Sequence, residues 1–335
     1  MKVFVSVPKN DGVMETFFPE NVKKYLEERF EVTYLPKDDE FPTIEEFKEY
    51  AKDADIVMTG WCHPVIDAKM LEGTNIKMIA HTGGSVGSLV VPETYDKGVK
   101  VISGNIYYAR SVAEGTVGYI LAGLRKIPDY VNCVRYGGWQ PEQYPSERLI
   151  DQTVGIVGLG AISRNLIKML QVFDVKIKIY SNYPIDENYL KENNATQVSL
   201  EEIFSTCKIV SLHSAMNERT RGMIRKEHFD MLQDGALFIN TARGRVIVEE
   251  DLIAALKEDR FRAVLDVYYK EPLPADSDLR KLHNVYCMPH VGGPTMDFYE
   301  VITKYLIDDM VKFEKGESVD TEITREYAAR MTVGG

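Results

Sequence analysis

The sequence predicts an α/β protein built from two doubly wound, parallel-sheet domains of Rossmann type, and three observations carry that expectation. The chain has 335 residues, too many for one ordinary domain. Short β-rich runs alternate with amphipathic stretches along both halves, the pattern of strands joined by crossover helices. The apolar runs of the second half lack strict alternation, as strands covered on both faces do.

In the first half, strand patterns at 3–7, 32–35, 55–59 and 76–81 alternate with helical stretches at 21–30 and 43–54. Ser111-Val112-Ala113-Glu114 has the form of a capping box, in which serine and glutamate side chains satisfy each other's backbone amides, so a helix is expected to start there. Pro128 is expected to end it, and Tyr136-Gly137-Gly138-Trp139-Gln140-Pro141 reads as a loop. A second alternation follows, with strands at 154–157, 176–180, 209–212, 236–240, 263–267 and 285–288. Beyond Pro294 an amphipathic helix sets Phe298, Val301, Ile302, Tyr305 and Leu306 on one face. Such a helix returns the chain to the first domain. The expected division is a discontinuous substrate domain, 1–104 plus 298–335, and a dinucleotide-binding domain, 105–297, with cofactor and substrate in the cleft between them.

Composition narrows the function. A formal charge of −11 with no long basic stripe disfavours nucleic acid and anionic lipid as partners. No run approaches the roughly 18 uninterrupted apolar residues of a membrane span, and the N-terminal Met1–Val7 run lacks the features of a signal peptide, so residence in the cytoplasm is expected. Cys62, Cys133, Cys207 and Cys287 are scattered singly; Cys62 beside His63 cannot complete a metal site alone, and none is expected.

The first chemical motif is Val154-Gly155-Ile156-Val157-Gly158-Leu159-Gly160-Ala161-Ile162-Ser163, a strand that breaks into glycines and opens a helix. Gly158 suits the tight turn, and Gly160 lets the backbone approach a pyrophosphate at the amides of Ala161 and Ile162. Where the fingerprint has a third glycine this chain has Ser163, a small variant. Three further segments follow strands: Asn240-Thr241-Ala242-Arg243-Gly244, then Asp266 through Glu271-Pro272, then Met288-Pro289-His290-Val291-Gly292-Gly293. In open parallel sheets such segments face one crevice. Singly, Arg243 reads equally as a surface charge, Glu271 as a turn residue and His290 as a core histidine. Together they match the reduction of a keto acid, which needs a cation for the carboxylate, a proton donor for the forming alkoxide, and a group that keeps the donor protonated.

On these residues, together with Ser111–Glu114, Gly138-Trp139, Leu212-His213, Thr220-Arg221-Gly222 and Leu265-Asp266-Val267, the chain resembles the D-isomer-specific 2-hydroxyacid dehydrogenase family over essentially its whole length. The resemblance implies hydride transfer between a nicotinamide cofactor and a small D-2-hydroxy acid or 2-keto acid, and a homodimer. It assigns substrate orientation to Arg243, proton exchange to His290, support of the imidazole to Glu271, and the nicotinamide carboxamide to Asp266. Thr241, Ala242 and Gly292 fall among its cofactor-binding positions. It places the substrate carboxylate on a glycine-rich loop, here Gly83-Gly84-Ser85, where the family more often has Gly-Val-Gly and an acidic residue. His81 stands where several relatives carry arginine, which disfavours a phosphorylated substrate. His81 and His63 read either as core histidines or as contacts to the substrate's variable end, and Tyr107 either as a substrate contact or as packing.

After the second strand of the nucleotide domain, Ser181 replaces the aspartate of NAD-preferring relatives, so the cofactor is NAD or NADP with Ser181 favouring NADP. No appended regulatory domain is expected after residue 335. Two rivals share the fold: a dinucleotide-sensing corepressor, against which the Arg243, Glu271 and His290 set argues, and a formate dehydrogenase, whose histidine pairs with glutamine where this chain has Glu271.

Overall fold

A computed structural model of the chain describes residues 1–139 and 146–333. The chain divides into two compact units, Met1–Tyr108 with the segment from Pro294 onward, and Ala109–Gly293. The sequence expectation put these boundaries at 104/105 and 297/298.

The first unit holds a five-stranded sheet of β1 (Lys2–Val5), β2 (Glu31–Tyr34), β3 (Ile56–Thr59), β4 (Met78–His81) and β5 (Lys100–Ser103), in the order β2-β1-β3-β4-β5. Every pairing is parallel. β3 and β4 are buried along their full length because cores lie on both faces. The helix Met296–Glu314 packs on one face through Ile302, Leu306, Ile307 and Met310. The predicted stripe is therefore corrected: Ile307 and Met310 belong to it, while Tyr305 is exposed and stacks on Tyr107.

The second unit holds a seven-stranded parallel sheet of β6 (Thr153–Val157), β7 (Lys176–Tyr180), β8 (Ala195–Gln197), β9 (Ile209–Leu212), β10 (Leu237–Asn240), β11 (Arg262–Leu265) and β12 (Val285–Cys287). Its order is β12-β11-β10-β9-β6-β7-β8, so the winding reverses between β6 and β9. The register aligns the carboxyl ends: Val157 pairs with Leu212, Leu212 with Asn240, Asn240 with Leu265, and Leu265 with Cys287. Every chemical motif of this unit therefore leaves the sheet from one edge, which is where open α/β sheets bind ligands.

Two local readings are overturned. The long helix begins at Asn105 and runs to Arg125, leaving Ser111 and Glu114 in its middle. Its start is set by Ser103 Oγ accepting from Asn105 N, and by Gly104 O accepting from Tyr107 N and Tyr108 N. Burial of Ala109 and Ala113 carries the helix through the serine, and this packing overrides the local capping signal. Nor does Pro128 end that helix. Lys126, at φ 52°, breaks the chain, and Pro128 sits in the first turn of the next helix, Ile127–Arg135, where its missing N–H is no loss. The short strands β5 and β8 were also missed. Gln140 and Pro141 of the predicted loop lie outside the described residues.

Candidate active site

The glycine run becomes a turn between β6 and the helix Ala161–Leu170. Gly158 has φ +98°, and a Cβ there would lie 2.9 Å from the backbone of Ser214, so the position requires glycine. Around Gly160 a Cβ would meet open space. Ser163 is buried and donates to Gly158 O at 2.6 Å, bracing the turn with a hydrogen bond where a third glycine would only pack. Among the described residues no side-chain cap hydrogen bond closes the start of this helix. These residues fit the pyrophosphate of a dinucleotide. At the end of β7, Ser181 Oγ accepts from Tyr183 N at 3.2 Å. Thr241 Oγ1 lies 3.3 Å from Thr116 Oγ1, and the Ala242 amide is taken by Asn240 Oδ1.

Arg243, past the end of β10, is half-buried. Its Nη1 donates to Ala242 O at 2.7 Å, and its Nε is buried without a partner. Among the described residues no carboxylate forms an ion pair with it. Burial pushes its pKa down, and the negative charge of Glu271 opposes that shift. A guanidinium whose shielded Nε lacks a partner among the described residues suits an anion.

Glu271 bridges backbone and imidazole. Its Oε1 accepts from Tyr268 N at 2.9 Å, and its Oε2 lies 2.6 Å from His290 Nδ1. His290 itself sits at φ 56°, in the left-handed region. With Nδ1 held by the carboxylate, Nε2 has no partner among the described residues. This arrangement can exchange a proton at Nε2 while the carboxylate offsets the imidazolium charge.

Asp266, only 2% exposed, occupies the loop after β11. Its Oδ1 accepts from Val291 N and the Tyr119 hydroxyl, and its Oδ2 from Gly292 N, all within 3.0 Å. A carboxylate has about four acceptor sites, so room remains for one more donor. The sequence reading found Asp266 but missed Tyr119, since nothing local marks a tyrosine 147 residues away as its partner.

In the first unit, the loop after β4 has its carbonyls tied down: Gly104 N donates to Gly83 O, and Ser103 Oγ to Gly84 O. Among the described residues the amides of Gly83, Gly84 and Ser85 donate to nothing in the chain, leaving consecutive N–H groups for an anion. A Cβ on Gly83 would come within 2.5 Å of His81 Nε2 and 3.0 Å of Trp61, and one on Gly84 within 3.3 Å of the Tyr108 ring. Tyr108 thus packs against the loop, and its buried hydroxyl lies beside the Trp61 side chain without hydrogen-bonding geometry to any partner. Tyr107, the residue singled out from the sequence, stacks on Tyr305 instead, with ring centroids 4.7 Å apart. Ser85 Oγ is turned away to Thr332 O. His81 bonds Thr59 Oγ1, His63 bonds Ser6 Oγ and Pro64 O, and burial depresses them to about 3 and about 4, so both rings are neutral near pH 7.

Among the described residues no cluster of three or more His, Cys, Asp or Glu is placed to hold a metal, and no helix is long and apolar enough to cross a membrane.

Comparison with known proteins accounts for the motifs of the second unit. The D-3-phosphoglycerate dehydrogenase of Methanocaldococcus jannaschii is 30% identical over 87% of this chain, which spans 56% of that longer protein. The glyoxylate reductase of Thermofilum pendens is 30% identical over 92% of both chains. The crystal structure of a phosphoglycerate oxidoreductase from Rhizobium etli superposes with a TM-score of 0.81 at 22% identity, covering 97% of this chain and 98% of that one, which shows a shared fold. Residues 117–292 match the profile of the D-isomer specific 2-hydroxyacid dehydrogenase, NAD binding domain, and the chain belongs to the D-isomer specific 2-hydroxyacid dehydrogenase family.

Proposed function

We propose that the protein is a nicotinamide-dependent dehydrogenase that interconverts a 2-keto acid and its D-2-hydroxy acid. The observation that carries this reading is the Arg243 Nε, shielded from solvent and without a partner among the described residues, in the unit that holds the hydrogen-bonded Glu271 and His290. The guanidinium binds the substrate's carboxylate and polarises its carbonyl. His290 Nε2 gives a proton to the oxygen that becomes the alcohol in reduction and takes it back in oxidation. Glu271 orients the imidazole through Nδ1. The nicotinamide supplies the hydride. The Gly158–Ile162 turn would hold the pyrophosphate, and Asp266 the carboxamide. In the first unit, the free amides of Gly83, Gly84 and Ser85 suit an anionic group. Intact proton-exchange machinery favours turnover over a purely cofactor-sensing role.

The surroundings of that loop favour a substrate whose variable end is uncharged. Trp61, Tyr108 and the neutral His81 are the side chains nearest Gly83 and Gly84. The test is a panel of 2-keto acids with apolar, aromatic, carboxylated and phosphorylated side chains, followed by oxidation of NADH and NADPH. Uncharged side chains are expected to lead by about tenfold or more in kcat/KM; a dicarboxylic or phosphorylated acid at the head of the panel would overturn the assignment. Ser181, which supplies no carboxylate to repel a 2′-phosphate, supports acceptance of NADP.

A cytoplasmic homodimer completes the reading. The four cysteines are free thiols, as suits a reducing compartment. The helix Ile127–Arg135 buries none of its residues and exposes Ile127 (49%), Val131 (49%) and Val134 (54%) on one face, an apolar surface suited to a second copy. Light scattering of Val131→Asp should show monomer where the wild type gives dimer.

A further inference from the structure

We propose that Tyr119 is a positioning residue for His290, acting through Asp266. The inference rests on the reading of His290 as the proton-exchanging group. Three observations support it. The Tyr119 hydroxyl lies 3.0 Å from Asp266 Oδ1, and burial together with the charge of Asp266 pushes the phenol pKa up, so the hydroxyl stays a donor. The same carboxylate accepts from the two amides that follow His290, those of Val291 and Gly292, each at 2.9 Å. The long helix is also shaped to seat this turn: a Cβ on Gly292 would lie 3.1 Å from the Tyr119 ring and 2.8 Å from Asp266 Oδ2, and a Cβ on Gly115 would lie 2.7 Å from Gly292 O.

Held this way, the turn is fixed on its downstream side by Asp266. Upstream, the Tyr268 hydroxyl lies 2.8 Å from Met288 O. His290 lies between these two braces in a left-handed conformation that a side chain adopts only when its surroundings impose it. The 2.6 Å approach of Nδ1 to Glu271 therefore depends on where the braces put the backbone. Removing the Tyr119 hydroxyl takes one of three donors from Asp266 and frees the carboxylate to rotate. The amide turn then loosens, and the imidazole leaves its line with Glu271.

The test is a double-mutant cycle on the full-length enzyme, Tyr119→Phe with His290→Asn, in the reductive direction with the best keto acid. Thermal melts confirm folding, and residual turnover is followed over hours at high enzyme concentration. Tyr119→Phe is expected to lower kcat by about tenfold with KM for the keto acid little changed, and to lower it less than about twofold when His290 is already asparagine. Equal losses in both backgrounds would overturn the proposal, because a general weakening of the fold does not depend on the imidazole. A second measurement needs neither substrate nor cofactor. The downfield imidazole N–H resonance expected of a short His–carboxylate bond should be sharp in the free enzyme and lost or moved upfield in Tyr119→Phe; an unmoved signal would also overturn the proposal. If His290→Asn alone leaves turnover intact, the proton-exchange reading fails, and the resonance still decides whether Tyr119 positions the ring.

Discussion

Replacing Arg243 with methionine should make the protein slightly more stable while abolishing its activity, a pair of opposite effects that marks a side chain held for a ligand. The guanidinium has five donors, of which Nη1 is satisfied by Ala242 O and Nε is buried with no partner. An orphaned buried donor costs about 1–3 kcal/mol, and burial of the charge adds to that, as the lowered pKa records. Methionine follows the aliphatic stem and removes both costs. It also gives up the bond to Ala242 O, a loss of about 1 kcal/mol. The balance is a gain of about 1 kcal/mol, which in a domain of this size raises Tm by roughly 2–4 °C. Against this, kcat/KM should fall by about 10²-fold or more, because the carboxylate loses its fork and the carbonyl its polarising charge. Lysine should recover only a small part, having charge without planar bidentate geometry. The assays are calorimetric melts with and without oxamate, an analogue of a 2-keto acid, and steady-state kinetics of the wild type and both variants. Oxamate should raise the Tm of the wild type and not of the methionine variant. A methionine variant that melts several degrees lower would show that Arg243 is structural, and one that keeps its activity would show that another cation holds the substrate.

Further outcomes follow from other parts of the structure. Gly158→Ala forces a side chain into φ +98° and against Ser214, so it should cost about 1–3 kcal/mol and weaken NADH binding; calorimetry with a fluorescence titration checks both, and wild-type affinity would place the pyrophosphate elsewhere. Desolvation holds the buried His63 and the half-buried His213 near 4 against an ordinary 6.5, so the unfolded chain binds their protons first as pH falls. Stability should be complete above about pH 6.5 and decline toward pH 4, by about 2 kcal/mol per histidine at pH 5. Urea titrations at pH 7 and pH 5 measure this, and a flat profile would contradict the burial of neutral rings. Ser181→Asp should move the ratio of kcat/KM values toward NAD by one to two decades, about 1–3 kcal/mol, by repelling a 2′-phosphate; an unmoved ratio would show that Ser181 does not reach the ribose.

The parts of this protein legible in its sequence are those specified by short stretches of chain. The strands at 176–180 and 209–212 stand at the bounds read from the sequence: Ile209–Leu212 is a short run buried along its length, while Lys176–Tyr180 alternates buried isoleucines with exposed or half-buried residues, the two-residue period of a strand. Gly158 announces its turn because only glycine adopts φ +98° without strain. Arg243 and His290 were visible because each sits in a loop just past a recognisable strand. Tertiary structure decided what depends on partners distant in the chain. The helix through Ser111 starts at Asn105, since burial of Ala109 and Ala113 outweighs a capping signal of local origin. Tyr108 rather than Tyr107 reaches the glycine loop, because one helical step turns a side chain by about 100° and packing alone selects which neighbour faces inward. Asp266 binds the turn after His290 and receives Tyr119 from 147 residues away. No local pattern encodes that meeting: it exists only once the sheet has placed β11 and β12 side by side and the long helix has packed against their carboxyl ends.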